Sequence, residues 1–157
     1  MRIAVFSDTH GDLSRIPLIR DRIGDVDAVF HLGDYAGDGL EIGKMLGVPC
    51  YAVHGNCDMT VDDIPYERVE ETDGCRFLLT HGNRFRTLTE LGLAAEELHC
   101  DAVLFGHTHE PLLTAYGPIL IANPGSLNRP RSGKNAGFAL ITTEKDGPKI
   151  KLVSLTR

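Results

Sequence analysis

Five short apolar runs, each stopped by a cluster of glycine, aspartate, asparagine or histidine, constrain this chain more than anything else in it. IAVF leads to Asp8-Thr9-His10, AVFHL to Gly33-Asp34, YAV to Gly55-Asn56-Cys57-Asp58, FLL to His81-Gly82 and AVLF to Gly106-His107-Thr108-His109. Short apolar runs bounded by turn residues read as strands buried on both faces, as in a parallel sheet. Loops at the carboxyl ends of such strands open into a common crevice. The pattern therefore predicts an α/β protein that gathers Asp, Asn and His side chains into one pocket.

The rest of the chain fits that frame. Ile3 to Phe6, Ala28 to Leu32 and Cys50 to Val53 are predicted strands. A helix starts near Asp12 or Ser14, and another runs from Gly39 to Leu46 before Gly47 and Pro49 stop it. This βαβαβ opening implies parallel pairing with right-handed crossovers. Thr72-Asp73-Gly74 marks a hairpin between Glu67 to Glu71 and Cys75 to Leu79, and Thr87 with Glu90 fits a capping box for a helix to about His99. Ala102 to Phe105 is a further buried strand. The tail reads as hairpins: Leu112 to Tyr116 with Ile119 to Ala122, and Phe138 to Thr143 with Ile150 to Leu155. Parallel units first and hairpins later predict two sheets face to face with helices outside. With 157 residues and no linker, repeat or low-complexity tract, one domain spanning 1–157 is expected.

Composition narrows the function classes. The net charge of −6 argues against a nucleic-acid or anionic-membrane partner, although bound cations can reverse the field locally for an anionic substrate. No stretch approaches the roughly 20 apolar residues of a membrane span, and the N-terminal run is too short for a secretory signal, so a cytoplasmic location is expected. Cys50, Cys57, Cys75 and Cys100 form no CxxC pair and are expected as free thiols.

Convergent imidazole, carboxylate and amide donors suit Mn, Fe, Co, Ni or Zn better than Ca or Mg. On extended segments Asp8 and His10 would start on one side of the chain, and so would His107 and His109. Asp34 has two oxygens and can bridge two ions, Asn56 offers an amide oxygen, and His81 completes the set. Two ions ~3.5–4 Å apart lower the pKa of bound water toward ~7 and would create a bridging hydroxide. Their surplus positive charge attracts phosphate, and phosphate esters are among the slowest bonds to break unaided.

In order, SDTHG, HLGDY, HGNCD, THGNR and FGHTHEP resemble the calcineurin-like metallophosphoesterase superfamily, in its small single-domain bacterial and archaeal phosphodiesterase branch. Asn123-Pro124-Gly125-Ser126 also resembles that branch. The resemblance implies a four-layer αββα sandwich. It implies one ion held by Asp8, His10 and His109, another by Asn56, His81 and His107, and Asp34 between them. It favours Mn, with Ni as a substitute. Asn56 and His81 then act in catalysis through the metal-bound hydroxide, on a small phosphodiester. Where many members have His after the Gly-Asn pair, this chain has Cys57, a weaker proton donor with a usual pKa of ~8.5. Good leaving groups, or a proton from water, are expected in compensation.

Other residues receive plainer readings. Asp58 orients its neighbours. His31 and His54 fill core or supporting positions, and His99 lies on the surface. Cys57 and Arg131 are candidate substrate contacts, Arg131 with Arg129 as a bidentate phosphate clamp. The Asn123–Ser126 amides are candidates to line the pocket, and Asp62-Asp63 and Glu70-Glu71 read as solvated faces. Two rivals stand beside the phosphoesterase: a non-catalytic protein-interaction scaffold of the same fold, and a nuclease, which the acidic balance disfavours. Homo-oligomerisation is left open.

Overall fold

The computed structural model describes residues 1–59 and 63–155. Asp62 falls outside them. Fourteen elements follow in chain order: β1 (Arg2–Phe6), α1 (Arg15–Leu18), α2 (Arg20–Ile23), β2 (Ala28–His31), α3 (Ala36–Leu46), β3 (Cys50–Ala52), β4 (Glu67–Thr72), β5 (Cys75–Thr80), α4 (Leu88–Glu97), β6 (Ala102–Leu104), β7 (Pro111–Tyr116), β8 (Ile119–Pro124), β9 (Ala136–Glu144) and β10 (Gly147–Leu155). They build two five-stranded sheets, ordered β10-β9-β1-β2-β3 and β4-β5-β6-β8-β7.

Both sheets are mixed. β1, β2 and β3 run parallel, with β9 antiparallel on the other side of β1. The second sheet has its own parallel centre, β5-β6-β8, flanked by the antiparallel strands β4 and β7. The helix and buried strand expected between the hairpins are present, and the tail strand β8, expected only as part of a hairpin, also pairs parallel with β6. The β7–β8 hairpin returns β8 alongside β6, a long-range pairing without a local signal.

Burial on two faces explains why the central runs show no alternation. Ile3 and Val5 join Phe30, Phe77, Leu79 and Leu104 in the core between the sheets. Ala4 and Phe6 point the other way, onto Ile16, Ile23 and Ile42 of the helices α1 to α3. Across the molecule, Leu78 and Val103 pack on Leu91 and Ala95 of α4. The layers are therefore helix, sheet, sheet, helix. Each large side chain buried here contributes roughly 1.5–3 kcal/mol.

Several local expectations shift. The helix predicted after Ser14 comes in two short pieces that meet at Ile19, with Pro17 inside the first turn. Asp12 Oδ1 accepts from the Ser14 amide and hydroxyl, so this pair forms a turn and not a side-chain cap. Helix α3 starts at Ala36, three residues earlier than expected, with Tyr35 alone between it and Asp34. Thr87 Oγ1 accepts the Glu90 amide as a cap should, but the Glu90 carboxylate reaches the Arg86 amide. Glu70 is no solvated face, since Arg68 pairs with it at 2.6 Å. The four cysteines are free. No helix among the described residues is long and apolar enough to cross a membrane.

Candidate metal centre

The carboxyl ends of β1, β2, β3, β5 and β6 lie on one edge of the sandwich, and the loop after each carries one of the five clusters. Donor atoms of Asp8, His10, Asp34 and His109 lie within 4.8 Å of one another. His109 Nε2 is 3.1 Å from Asp8 Oδ1, and His10 Nε2 is 3.9 Å from Asp34 Oδ2. His81 joins from the second sheet, its Nε2 3.3 Å from Asp34 Oδ1 and 3.9 Å from Asp8 Oδ1. His107 Nδ1 lies 3.1 Å from Asn56 Oδ1, and the His107 and His81 rings have centroids 5.1 Å apart. All seven candidate donors therefore converge, with Asp34 between the two groups.

The route to this convergence differs from the expected one. Asp8, His10, Asp34, His107 and His109 are not on extended segments: their φ angles run from 52° to 69°, in the left-handed region. Each such residue costs on the order of 1 kcal/mol. Surrounding bonds hold the strain. Asp8 donates its amide to the Gly33 carbonyl, and its Oδ2 accepts the Ser7 hydroxyl and the His107 amide at 3.0 Å. Asp34 Oδ1 accepts the Cys57 amide at 2.9 Å. Asp58 ties two loops together by accepting the amides of Asp34, Ala36 and Gly55. At Gly55 and Gly106 the loops press onto Asp34 and Ser7, leaving no room for a Cβ.

The donors are aimed by their far atoms. His81 donates from Nδ1 to the Leu32 carbonyl at 2.7 Å, and His109 from Nδ1 to the Arg129 carbonyl at 2.6 Å. Both arrangements fix the tautomer and turn an Nε2 lone pair inward. Asp8 Oδ1, His10 Nε2 and His81 Nε2 are buried without a hydrogen-bond partner among the described residues. Leaving such a group unsatisfied costs about 1–3 kcal/mol each. A divalent cation would satisfy all three at once, so the donor set fits a metal centre.

Electrostatics agree. Burial works against charge on Asp8, but His109, His81 and Ser7 outweigh it and hold the carboxyl at about 2. Burial pushes His10 and His107 down, toward the neutral imidazole a metal needs. His109 is the exception, pushed up by the Asp8 carboxylate 3.1 Å away. Burial, with Asp34, Asp8 and Asp58, pushes the Cys57 thiol up, so it stays protonated. Cys57 is exposed beside the donor cluster, its amide bonded to Asp34. Arg129 and Arg131 are exposed too, and close enough that Arg129 disfavours charge on His10, and Arg131 on His107 and His109.

The Asn123–Ser126 segment, expected near the pocket for its amides, makes its contacts through side chains, and Asn128 escaped the sequence reading. Asn123 donates to the Gly106 carbonyl and to Thr108 Oγ1, and Ser126 Oγ donates to the Asp8 carbonyl at 2.8 Å. Asn128 holds the carbonyls of Thr9 and Asp12. The Asn123–Ser126 segment thus braces the ligand loops through side chains. Thr9 Oγ1 contacts His31 Nε2 and donates to Asp38, which fastens the first loop to α3. Burial lowers the pKa of His31 to about 4, so it is neutral there. His54 contacts the Met59 carbonyl and packs on Tyr66, outside the donor cluster.

The profile of the calcineurin-like phosphoesterase superfamily domain matches residues 1–146. A probable metallophosphoesterase of Bacillus subtilis, YsnB, is 31% identical over 155 residues, covering 96% of this chain and 89% of that protein. A structurally and functionally characterised archaeal phosphodiesterase superposes with a TM-score of 0.73 at 26% identity, covering 98% of this chain and all of the other. Vps29 of Entamoeba histolytica, solved with zinc, superposes with a TM-score of 0.78 at 20% identity, covering 98% of this chain and 99% of its own, and so shares the fold.

Proposed function

The chain belongs to the calcineurin-like phosphoesterase superfamily, and on that footing we propose that it is a two-metal phosphodiesterase acting on small phosphodiesters. Asp8, His10 and His109 would hold one cation and Asn56, His81 and His107 the other, with Asp34 placed to serve both. Mn is the favoured metal. Two divalent cations, when bound, supply Lewis acidity and a nucleophile from water at neutral pH.

The chain's own part is positioning. His81 and His109 present fixed lone pairs because their other nitrogens are tied to carbonyls. Asn56 acts from the exposed side of the crevice, where a substrate enters, and His81 acts from its buried floor. Cys57, kept as a neutral thiol, carries a proton that can pass to a departing oxygen. Arg131 and Arg129 add positive charge at the rim. The single observation that supports this reading most is the trio of buried, unpaired donors, Asp8 Oδ1, His10 Nε2 and His81 Nε2. A scaffold that only binds proteins has no use for them, and the net charge of −6 disfavours a nuclease.

The test is turnover of bis-p-nitrophenyl phosphate by protein stripped with chelator and then reloaded with Mn, Ni or Zn. Hydrolysis that vanishes on stripping and returns on loading is expected. Bound metal with no turnover on any diester or monoester would favour the scaffold.

A further inference from the structure

A cleft of about 400 Å³ opens next to the donor cluster, between two of the loops that build it. The loop after β5 and the start of α4 supply Phe85, Leu88 and Leu91. The end of β6 and the start of β7 supply Phe105, Pro111 and Leu112. Gly82, Gly106 and His107 line it as well, so His107 belongs to both the cleft and the cluster. Apolar side chains dominate the lining, Thr87 and Thr108 are its neutral polar members, and two exposed cations, Arg86 and Lys134, stand on its surface. Its lone carboxylate, Glu110, is bonded to the Ser132 hydroxyl.

We propose that this cleft takes the organic substituent of the phosphate ester, and that the substituent is an aromatic ring, aryl or nucleobase. The inference rests on the phosphoesterase reading above. A phosphate held at the cluster has its ester oxygen one bond from a carbon, and the apolar cavity continuous with His107 is where that carbon skeleton leaves water. The volume lies at the low end of the 300–1,000 Å³ typical of small-molecule sites, which suits one ring system and not a long chain. Phe85 and Phe105 offer aromatic faces and edges for stacking. Arg86 and Lys134 favour an electron-rich ring and repel cationic substituents such as amino-alcohol headgroups.

Calorimetric titration of phenylphosphonate and methylphosphonate into the Mn-loaded protein tests the assignment without turnover. The phenyl compound is expected to bind about tenfold more tightly. Leu88→Asp and Phe85→Ala are each expected to close most of that gap while leaving methylphosphonate affinity unchanged. Leu88 is 41% exposed and is the first residue of α4, where an aspartate suits the helix dipole, so that variant keeps its fold. Equal affinities in the unmodified protein, a gap that survives both variants, or no binding of either phosphonate would overturn the proposal. A phenyl preference in a protein that hydrolyses no diester would leave the cleft standing and sink the phosphodiesterase reading instead.

Discussion

The two halves of the donor cluster are built to different tolerances. Asp8 and His109 are buried, and each is tied by its far side: Asp8 to Ser7 and the His107 amide, His109 to the Arg129 carbonyl. Asn56 is exposed on a loop, and its amide oxygen meets only the His107 ring among the described residues. His107 itself is half-buried. One half is preorganised by the core of the sandwich, while in the other only His81 is buried and tied in the same way, and Asn56 and His107 face solvent. On the proposed two-metal reading, a tight site would stand beside a more exchangeable one, with Asp34 coupling them.

Removing the coupling should have the largest effect. Asp34→Ala is expected to lower metal content in both halves and to cut kcat/KM on a diester by more than about a thousandfold, since metal stabilisation of the transition state is worth several kcal/mol. Circular dichroism should show an unchanged fold. Metal content after gel filtration then sharpens the comparison. Asn56→Ala is expected to keep about one ion per chain, whereas Asp8→Ala should keep none at the same metal concentration. The reverse ranking would break the distinction between the halves. Next comes the brace. Ser126→Ala removes the bond to the Asp8 carbonyl and is expected to weaken metal affinity about 10–100-fold, read by competition with a chelating dye.

These supporting contacts mark the limit of what could be read from residues alone. The five strand ends were legible because their apolar runs are continuous, which only two-sided burial explains. The convergence of the seven candidate donors was legible because those runs all end in ligand-type residues. The left-handed backbone at Asp8, His10 and Asp34 was not, because neither Asp nor His demands a positive φ. Extended geometry, with side chains two apart on one side, was the natural but incorrect inference. Ser126 was named only for its backbone amide, and its side-chain role stayed hidden because it acts on a carbonyl 118 positions away and leaves no local pattern. The start of α3 at Ala36 also went unseen, because its first turn holds two glycines, Gly37 and Gly39.

The buried support behind the tight half also predicts a pH response. His31 has its pKa lowered to about 4 in the fold, against 6.5 when unfolded. Above pH 6.5 both states are neutral and folding is unaffected. As pH falls from 6.5 toward 4, the unfolded chain takes up a proton that the folded chain refuses, so stability drops by about 3 kcal/mol and then levels off. Urea unfolding between pH 7 and pH 4 measures this, and His31→Gln should flatten the slope. The smallest effect belongs to the exposed side. Cys57→Ala is expected to change turnover of p-nitrophenyl esters by less than about threefold. It should slow esters with alkoxide leaving groups about tenfold, the low end of general-acid contributions.

Anomalous scattering from a crystal grown with Mn tests the convergence itself. Two peaks about 3.5–4 Å apart are expected, one reached by Asp8, His10 and His109, the other by Asn56, His81 and His107, with Asp34 touching both. No peak in the crevice, or metal bound elsewhere on the surface, would contradict it.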